Sequence, residues 1–155
     1  MEKVTIGIPV YNAEKFIRNT LISIFNQTYS NFELIITDDG STDDSLNIIK
    51  SFTDNRIRIY SDGENKGISY RLNQQVNLAK GKYFVRMDAD DISYPERLMK
   101  QKKFLDKYQE YSWVGCNIDV FDQNGVWGER KMPEFPIEQD YLRFSPYAHP
   151  TVMYR

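Results

Sequence analysis

The chain has 155 residues, the size of one domain and enough to bury a core, and its 41% hydrophobic and 27% charged residues exclude a disordered polymer. A net charge of -2 offers no general attraction to nucleic acid or anionic lipid, so any phosphate recognition must be local. The single cysteine, Cys116, excludes an internal disulfide and a cysteine-built zinc site, and no apolar run approaches the roughly 20 residues that span a bilayer.

Val4–Ile8 is a β-rich run stopped by Pro9. Phe16, Ile17, Thr20, Leu21, Ile24 and Phe25 then recur at helical spacing, predicting a helix from about Ala13 to Asn26. Phe32–Thr37 is a second strand, ending in Asp38-Asp39-Gly40, and Ser41–Asp44 has the form of a capping box opening a helix with Leu46, Ile48 and Ile49. Arg56–Tyr60 reads as a third strand. The turn Glu64–Gly67 leads to a helix whose apolar stripe is Ile68, Leu72, Val76 and Ala79. Gly81 stops it, and Lys82–Met87 forms a fourth strand. Pro95 is placed as the first residue of a helix carrying Leu98, Leu105 and Tyr108. Asn117–Phe121 and Val126–Arg130 flank an Asn-Gly hairpin signal, and Glu134 onward is richer in proline and aromatics. The alternation implies an α/β fold with a mostly parallel sheet, helices on both faces and a C-terminal hairpin region. Cys116, in the run Trp113–Cys116, reads as a small apolar filler.

In a parallel sheet all strand C-termini lie on one edge, where such folds bind ligands. Three distinctive segments meet there: Pro9-Val10-Tyr11-Asn12, Asp38–Ser41 and Asp88-Ala89-Asp90-Asp91. Tyr11 offers an aromatic face for a base, and Asp39 an acceptor for an imide N–H. The three carboxylates of Asp88–Asp91 suit a hard divalent cation, since Mg²⁺ sites often combine one or two carboxylates with substrate phosphates. Lys66 and Arg71 add positive charge. The inventory suits a nucleoside diphosphate with a cation on its pyrophosphate. Each feature also has a plain structural reading: an acidic turn before a helix, a surface tyrosine, an arginine paired with a neighbouring carboxylate. Neither G-x-G-x-x-G nor G-x-x-x-x-G-K-[ST] is present.

The chain closely resembles the N-terminal part of the family 2 glycosyltransferases, which have the GT-A fold. Ile8–Asn12, Asp38–Asp43, Asn65-Lys66-Gly67 with Arg71-Leu72-Asn73, and Asp88–Asp91 match the family's motifs in order, over about residues 3 to 100. The resemblance implies an inverting transferase that moves a sugar from a nucleotide donor, most often UDP-linked, onto the hydroxyl of a saccharide or glycolipid acceptor. It implies that Pro9, Val10 and Tyr11 cradle the base and that Asp39 accepts from uracil N3–H. Arg71 matches a position close to the base, with Lys66 nearby. Asp88 matches one near the ribose or metal, and Asp90 the principal ligand of Mn²⁺ or Mg²⁺. A sugar-nucleotide pyrophosphorylase would instead show a glycine-rich basic loop where Pro9–Asn12 stands.

The resemblance also places the general base in a carboxylate motif downstream of a stretch like His149–Arg155. A single GT-A-type domain cut short at its C-terminus is therefore expected, with residues 1–110 as the nucleotide half and 111–155 starting the acceptor side. Glu138, Asp140 and His149 have no spacing that marks a base. Such a chain would bind its donor while lacking the catalytic base. Without a signal-peptide pattern it reads as cytoplasmic, with the full-length protein peripheral to the inner face of the membrane.

Overall fold

The computed structural model describes residues 2–143 and 145–155. Four βα units open the chain: β1 (Val4–Val10) with α1 (Ile17–Phe25), β2 (Phe32–Asp38) with α2 (Ser45–Lys50), β3 (Ile57–Ser61) with α3 (Ile68–Leu78), and β4 (Tyr83–Arg86) with α4 (Arg97–Lys107). Strand β5 (Trp113–Val114), the hairpin β6 (Ile118–Asp122) and β7 (Gly125–Arg130), helix α5 (Glu138–Arg143), a 3-10 turn at His149–Thr151 and β8 (Met153–Tyr154) follow. The six-stranded sheet has the order β3-β2-β1-β4-β8-β5. Its first four strands are parallel, and β8 runs antiparallel between β4 and β5. The hairpin is a separate two-stranded sheet. This is the mixed α/β architecture that the alternating pattern predicts.

The period-2 alternation of the strands gives the sheet two unlike faces. On one, Val4, Ile6, Ile8, Val10, Phe32, Leu34, Ile36, Tyr83 and Val85 join Ile17, Leu21 and Ile24 of α1, Ile49 of α2 and Leu98 and Leu105 of α4 in an apolar core. The other face carries Thr5, Glu33, Thr37 and Arg86, all buried, and α3 crosses the β1–β2 part of it. Buried polar groups must be paired. Glu33 accepts from the Thr5 hydroxyl, the Lys80 N–H and Arg58 Nη1 (2.8, 2.7 and 3.1 Å), and Thr37 Oγ1 accepts from Gln75 Nε2 at 2.7 Å.

That polar face overturns the predicted stripe of α3. Ile68 and Val76 are 51% and 43% exposed, whereas Arg71 and Gln75, one helical turn apart, are fully buried. Hydrogen-bonding need set the helix's rotation here. Gly7 of β1 makes room: a Cβ there would come within 2.5 Å of Gln75 Oε1 and of the Phe84 ring.

Three other local expectations shift. α1 starts at Ile17, because Ala13 O accepts from both Phe16 N–H and Ile17 N–H in a tight turn. Pro95 precedes α4 by two residues, with Glu96 at the N-cap. Ser41 does not cap α2. Its hydroxyl instead accepts from Asn12 N–H (3.0 Å), while Asp43 accepts from Ser45 N–H (3.0 Å). The loops after β1 and β2 are clipped together reciprocally. Glu14 N–H donates to Asp43 Oδ2 and Asp44 N–H to Glu14 Oε2, both at 3.0 Å, and Thr42 N–H to Asn12 Oδ1 at 2.8 Å.

Candidate functional site

The C-terminal ends of β1, β2 and β4 open into one pocket, lined by Pro9, Val10, Tyr11, Asp39, Asp88 and Asp90 among others. Six of the eight predicted site residues therefore converge. Tyr11 is 53% exposed, free to present its ring, and Asn12 after it turns the chain at φ 49°.

Asp39 lies at the pocket's floor, 5% exposed. Its Oδ1 accepts from Lys66 N–H and Arg71 Nε, each at 2.8 Å, and its Oδ2 from Gly67 N–H at 3.0 Å. Burial pushes its carboxyl pKa up, but those donors outweigh burial and hold it below the ordinary 3.8. Gly40 makes the approach of the donor loop possible. It has φ +74°, and a Cβ there would sit 3.0 Å from Asn65 N and Glu64 C.

Arg71 and Lys66 stand elsewhere than the pocket wall. Arg71 is fully buried behind Asp39. Its Nη1 donates to Asp62 Oδ2 and Gln74 (3.2 and 3.1 Å), and its Nη2 to Asp62 Oδ1 and the Glu64 carbonyl (2.6 Å each). With Nε on Asp39, each nitrogen of the guanidinium is engaged, so Arg71 acts on the pocket through Asp39 and the loop. The Lys66 ammonium pairs with Asp62 (2.7 Å) and Glu64 (3.2 Å), and only its backbone N–H reaches Asp39. Phe16 and Ile68 line the pocket although their spacing reads as core stripe. Their exposures of 51% for each set them apart, and the sequence carries no signal for that.

The acidic loop is held from two sides. Arg86 Nη2 pairs with Asp88 Oδ1 at 2.7 Å. Helix α1 and Gln27 just beyond it pin the backbone: Thr20 Oγ1 donates to Ala89 O (2.8 Å), Ser93 N–H to Ser23 Oγ (3.0 Å), Gln27 Nε2 to Tyr94 O (2.7 Å), and Leu98 N–H to Gln27 Oε1 (3.1 Å). Burial raises the Asp88 carboxyl pKa, Arg86 opposes it and Asp90 adds to it. Asp91 is pushed up to about 6, by burial first and then by Asp88 and Asp90. Carboxylates crowded in this way are relieved by a cation. Among the described residues no three His, Cys, Asp or Glu side chains form a closed metal cage. Asp88 and Asp90 match the other pattern, in which Mg²⁺ or Mn²⁺ takes one or two carboxylates and completes its shell with phosphate and water.

Of the other candidates, Asp140 is committed to its own helix, accepting from Ile137 N–H at 2.9 Å. His149 is exposed, its ring 5.4 Å from that of Tyr147. Cys116 is half-buried in the segment beside β5. No described helix is long and apolar enough to cross a membrane.

The family described as Glycosyl transferase family 2 matches residues 5–153. EpsE of Bacillus subtilis (strain 168), named as a glycosyltransferase, is 38% identical over 99% of this chain and 56% of its own length. The O-antigen biosynthesis glycosyltransferase WbnJ of Escherichia coli is 35% identical over 100% of this chain and 62% of its own. The chain thus spans little more than half of these relatives. Among solved structures, S. aureus TarS 1-349 in complex with UDP-GlcNAc superposes with a TM-score of 0.78 at 23% identity, over 99% of this chain and 45% of that one. This shows a common fold, that of a GT-A glycosyltransferase. A mannosyltransferase from Pyrobaculum calidifontis, in complex with GDP-Man and Mn²⁺, matches 73% of this chain and 34% of its own, with a TM-score of 0.67 and 26% identity.

Proposed function

The chain belongs to glycosyl transferase family 2, and from that membership we propose that it binds a UDP-linked sugar with a divalent cation, Mn²⁺ or Mg²⁺, for inverting transfer to an acceptor hydroxyl. The observation that carries this reading is the convergence of Tyr11, Asp39, Asp88 and Asp90 on one pocket. The Pro9-Val10-Tyr11 segment cradles the base, with the Tyr11 ring offered to its face, Asp39 binds the base edge, and Asp88 and Asp90 hold the cation. A bound cation supplies Lewis-acid charge where the leaving diphosphate becomes more negative.

Asp39 supports uracil over other bases. A carboxylate has about four lone-pair positions, and three are filled by Lys66, Gly67 and Arg71. The position left, on Oδ2, matches the single N3–H of uracil. Guanine presents two adjacent donors and needs two free acceptors. Cytosine posed like uracil brings N3, which carries no hydrogen, to that position, and must shift to offer its N4 amine instead. The solved neighbours hold UDP-GlcNAc in one case and GDP-Man in another, so the choice of base falls to this chain's own residues.

Residues 1–110 supply the nucleotide half in this reading and 111–155 open the acceptor side, which takes a saccharide or glycolipid. A role in polysaccharide or glycoconjugate synthesis follows the O-antigen pathway named for WbnJ. No residue of the chain is assigned as general base.

Calorimetric titration of UDP, GDP and CDP, with Mn²⁺ or with a chelator, tests the reading on the native chain and on Asp90→Ala. UDP is expected to bind most tightly, only weakly without metal, and to lose most of its metal-dependent affinity in the variant. Binding indifferent to metal and to Asp90 would reduce the acidic segment to a structural turn.

A further inference from the structure

Arg86 departs from the rule that buried polar groups are paired. Its side chain is 10% exposed, and among the described residues its Nε and Nη1 are buried with no hydrogen-bond partner. Only Nη2 is engaged, on Asp88 Oδ1 at 2.7 Å. Glu33 and Thr37, on the same face of the sheet, are satisfied by neighbouring donors. A guanidinium removed from water with idle N–H groups is costly, and an acceptor brought to it recovers that cost.

Arg86 lines a cavity of about 380 Å³, within the range of small-ligand sites, roughly 300–1,000 Å³. Helix α3 lies across β1 and β2, and past it the same face continues over β4, β8 and β5. There Phe84 pairs with Tyr154 and Tyr154 with Trp113, and Arg86 follows Phe84 by two residues on the same side of β4. Trp113, Tyr147 and His149 form a run of neighbouring rings, with centroids 5.2 and 5.4 Å apart, and Leu72 closes the α3 side. Among the described residues Arg86 is the only Lys, Arg, Asp or Glu in the lining.

An aromatic wall with one guanidinium selects among anions. Arg86 brings a single positive charge, part of it spent on Asp88, and Asp90 and Asp91 stand in the same loop. A phosphate dianion would meet those like charges and lose hydration that one guanidinium does not replace. A carboxylate carries one charge and accepts charge-assisted hydrogen bonds, and an apolar body behind it fills the ring-lined space.

We propose that this cavity binds a monocarboxylate with an apolar body, held by Arg86 through Nε or Nη1. Asp88 alone holds the guanidinium, so a small turn about that contact presents these nitrogens to the cavity. The site needs neither nucleotide nor metal, and it stands apart from the donor reading above.

The test is NMR titration of the 155-residue chain, in chelator and without nucleotide, with sodium benzoate, benzamide and inorganic phosphate in turn. Benzoate at millimolar concentration is expected to shift the Arg86 Nε–H and Trp113 indole N–H resonances saturably. Benzamide has the same shape without the charge and should bind about tenfold more weakly. Arg86→Met should bring benzoate down to the affinity of benzamide. The comparison of benzoate with benzamide uses the native chain, so it decides the matter even where Arg86→Met fails to fold. The absence of any saturable benzoate shift overturns the site, as does undiminished benzoate binding in a folded Arg86→Met. Equal affinity for benzoate and benzamide, or tighter binding of phosphate than of benzoate, overturns the choice of a carboxylate.

Discussion

In the proposed reading Asp39 serves fold and ligand together. Its charge is stabilised before any ligand arrives, by two backbone N–H groups and a guanidinium, so it is a preorganised acceptor. Asp39→Asn keeps the shape but turns half the group into a donor facing uracil N3–H. A hydrogen bond to a charged group contributes about 1.5–3 kcal/mol, so UDP affinity should fall by roughly ten- to a hundredfold in titration. Arg71 gives a different signature. Arg71→Leu leaves the buried Asp39 carboxylate without its guanidinium and should cost on the order of 3 kcal/mol in urea denaturation, with weaker UDP binding as a consequence. A variant that lost UDP affinity at unchanged stability would put Arg71 in contact with the base instead. Asp39 was legible in the sequence because it follows a strand and precedes a glycine. Arg71's buried position was not, because nothing local marks an arginine as facing inward.

At the scale of elements, the first four strands and the hairpin were readable to within a residue or two, since alternation and turn residues agree there. The face of α3 was not. Its inward residues answer to Thr37 and Asp39 on β2 and its end, about 35 residues back, and only the folded sheet puts those groups beneath it. Strands β5 and β8 were equally invisible, because two residues cannot display a period. Helix α1 appeared as a plain apolar stripe, yet its Thr20 and Ser23, with Gln27 just past its end, fasten the acidic loop. Gln27→Leu is expected to free Leu98 N–H and Tyr94 O and to loosen residues 93–98. Mn²⁺-dependent UDP affinity should then drop while the small metal-free component stays. Equal loss of both would mean that Gln27 merely supports the core.

Across the whole molecule, charge buried on the α3 side of the sheet sets the response to acid. Glu33 is 5% exposed. Burial alone would raise its carboxyl pKa, but Thr5, Lys80 and Arg58 more than offset that and hold it below 4.5. Asp39 likewise stays below 3.8. A depressed folded-state pKa means that the unfolded chain binds the proton first. The stabilisation is therefore complete above about pH 4.5 and is lost as the pH falls through the folded value. Urea midpoints between pH 3 and 7 should decline below about pH 4.5 in the native chain and less steeply in Glu33→Gln, which starts from lower stability at neutral pH.

Strand β4 ends in the acidic loop, and its two neighbours come from opposite ends of the numbering: β1 from residues 4–10 and β8 from residues 153–154. As the ribosome releases the chain, β1, β2 and β3 can pair while β4 is still being made. The far flank of β4 must wait for about seventy further residues, a long loop whose closure is slow. The part of the edge that presents Asp39 can thus be set early in synthesis, and the part that presents Asp88 and Asp90 is sealed later.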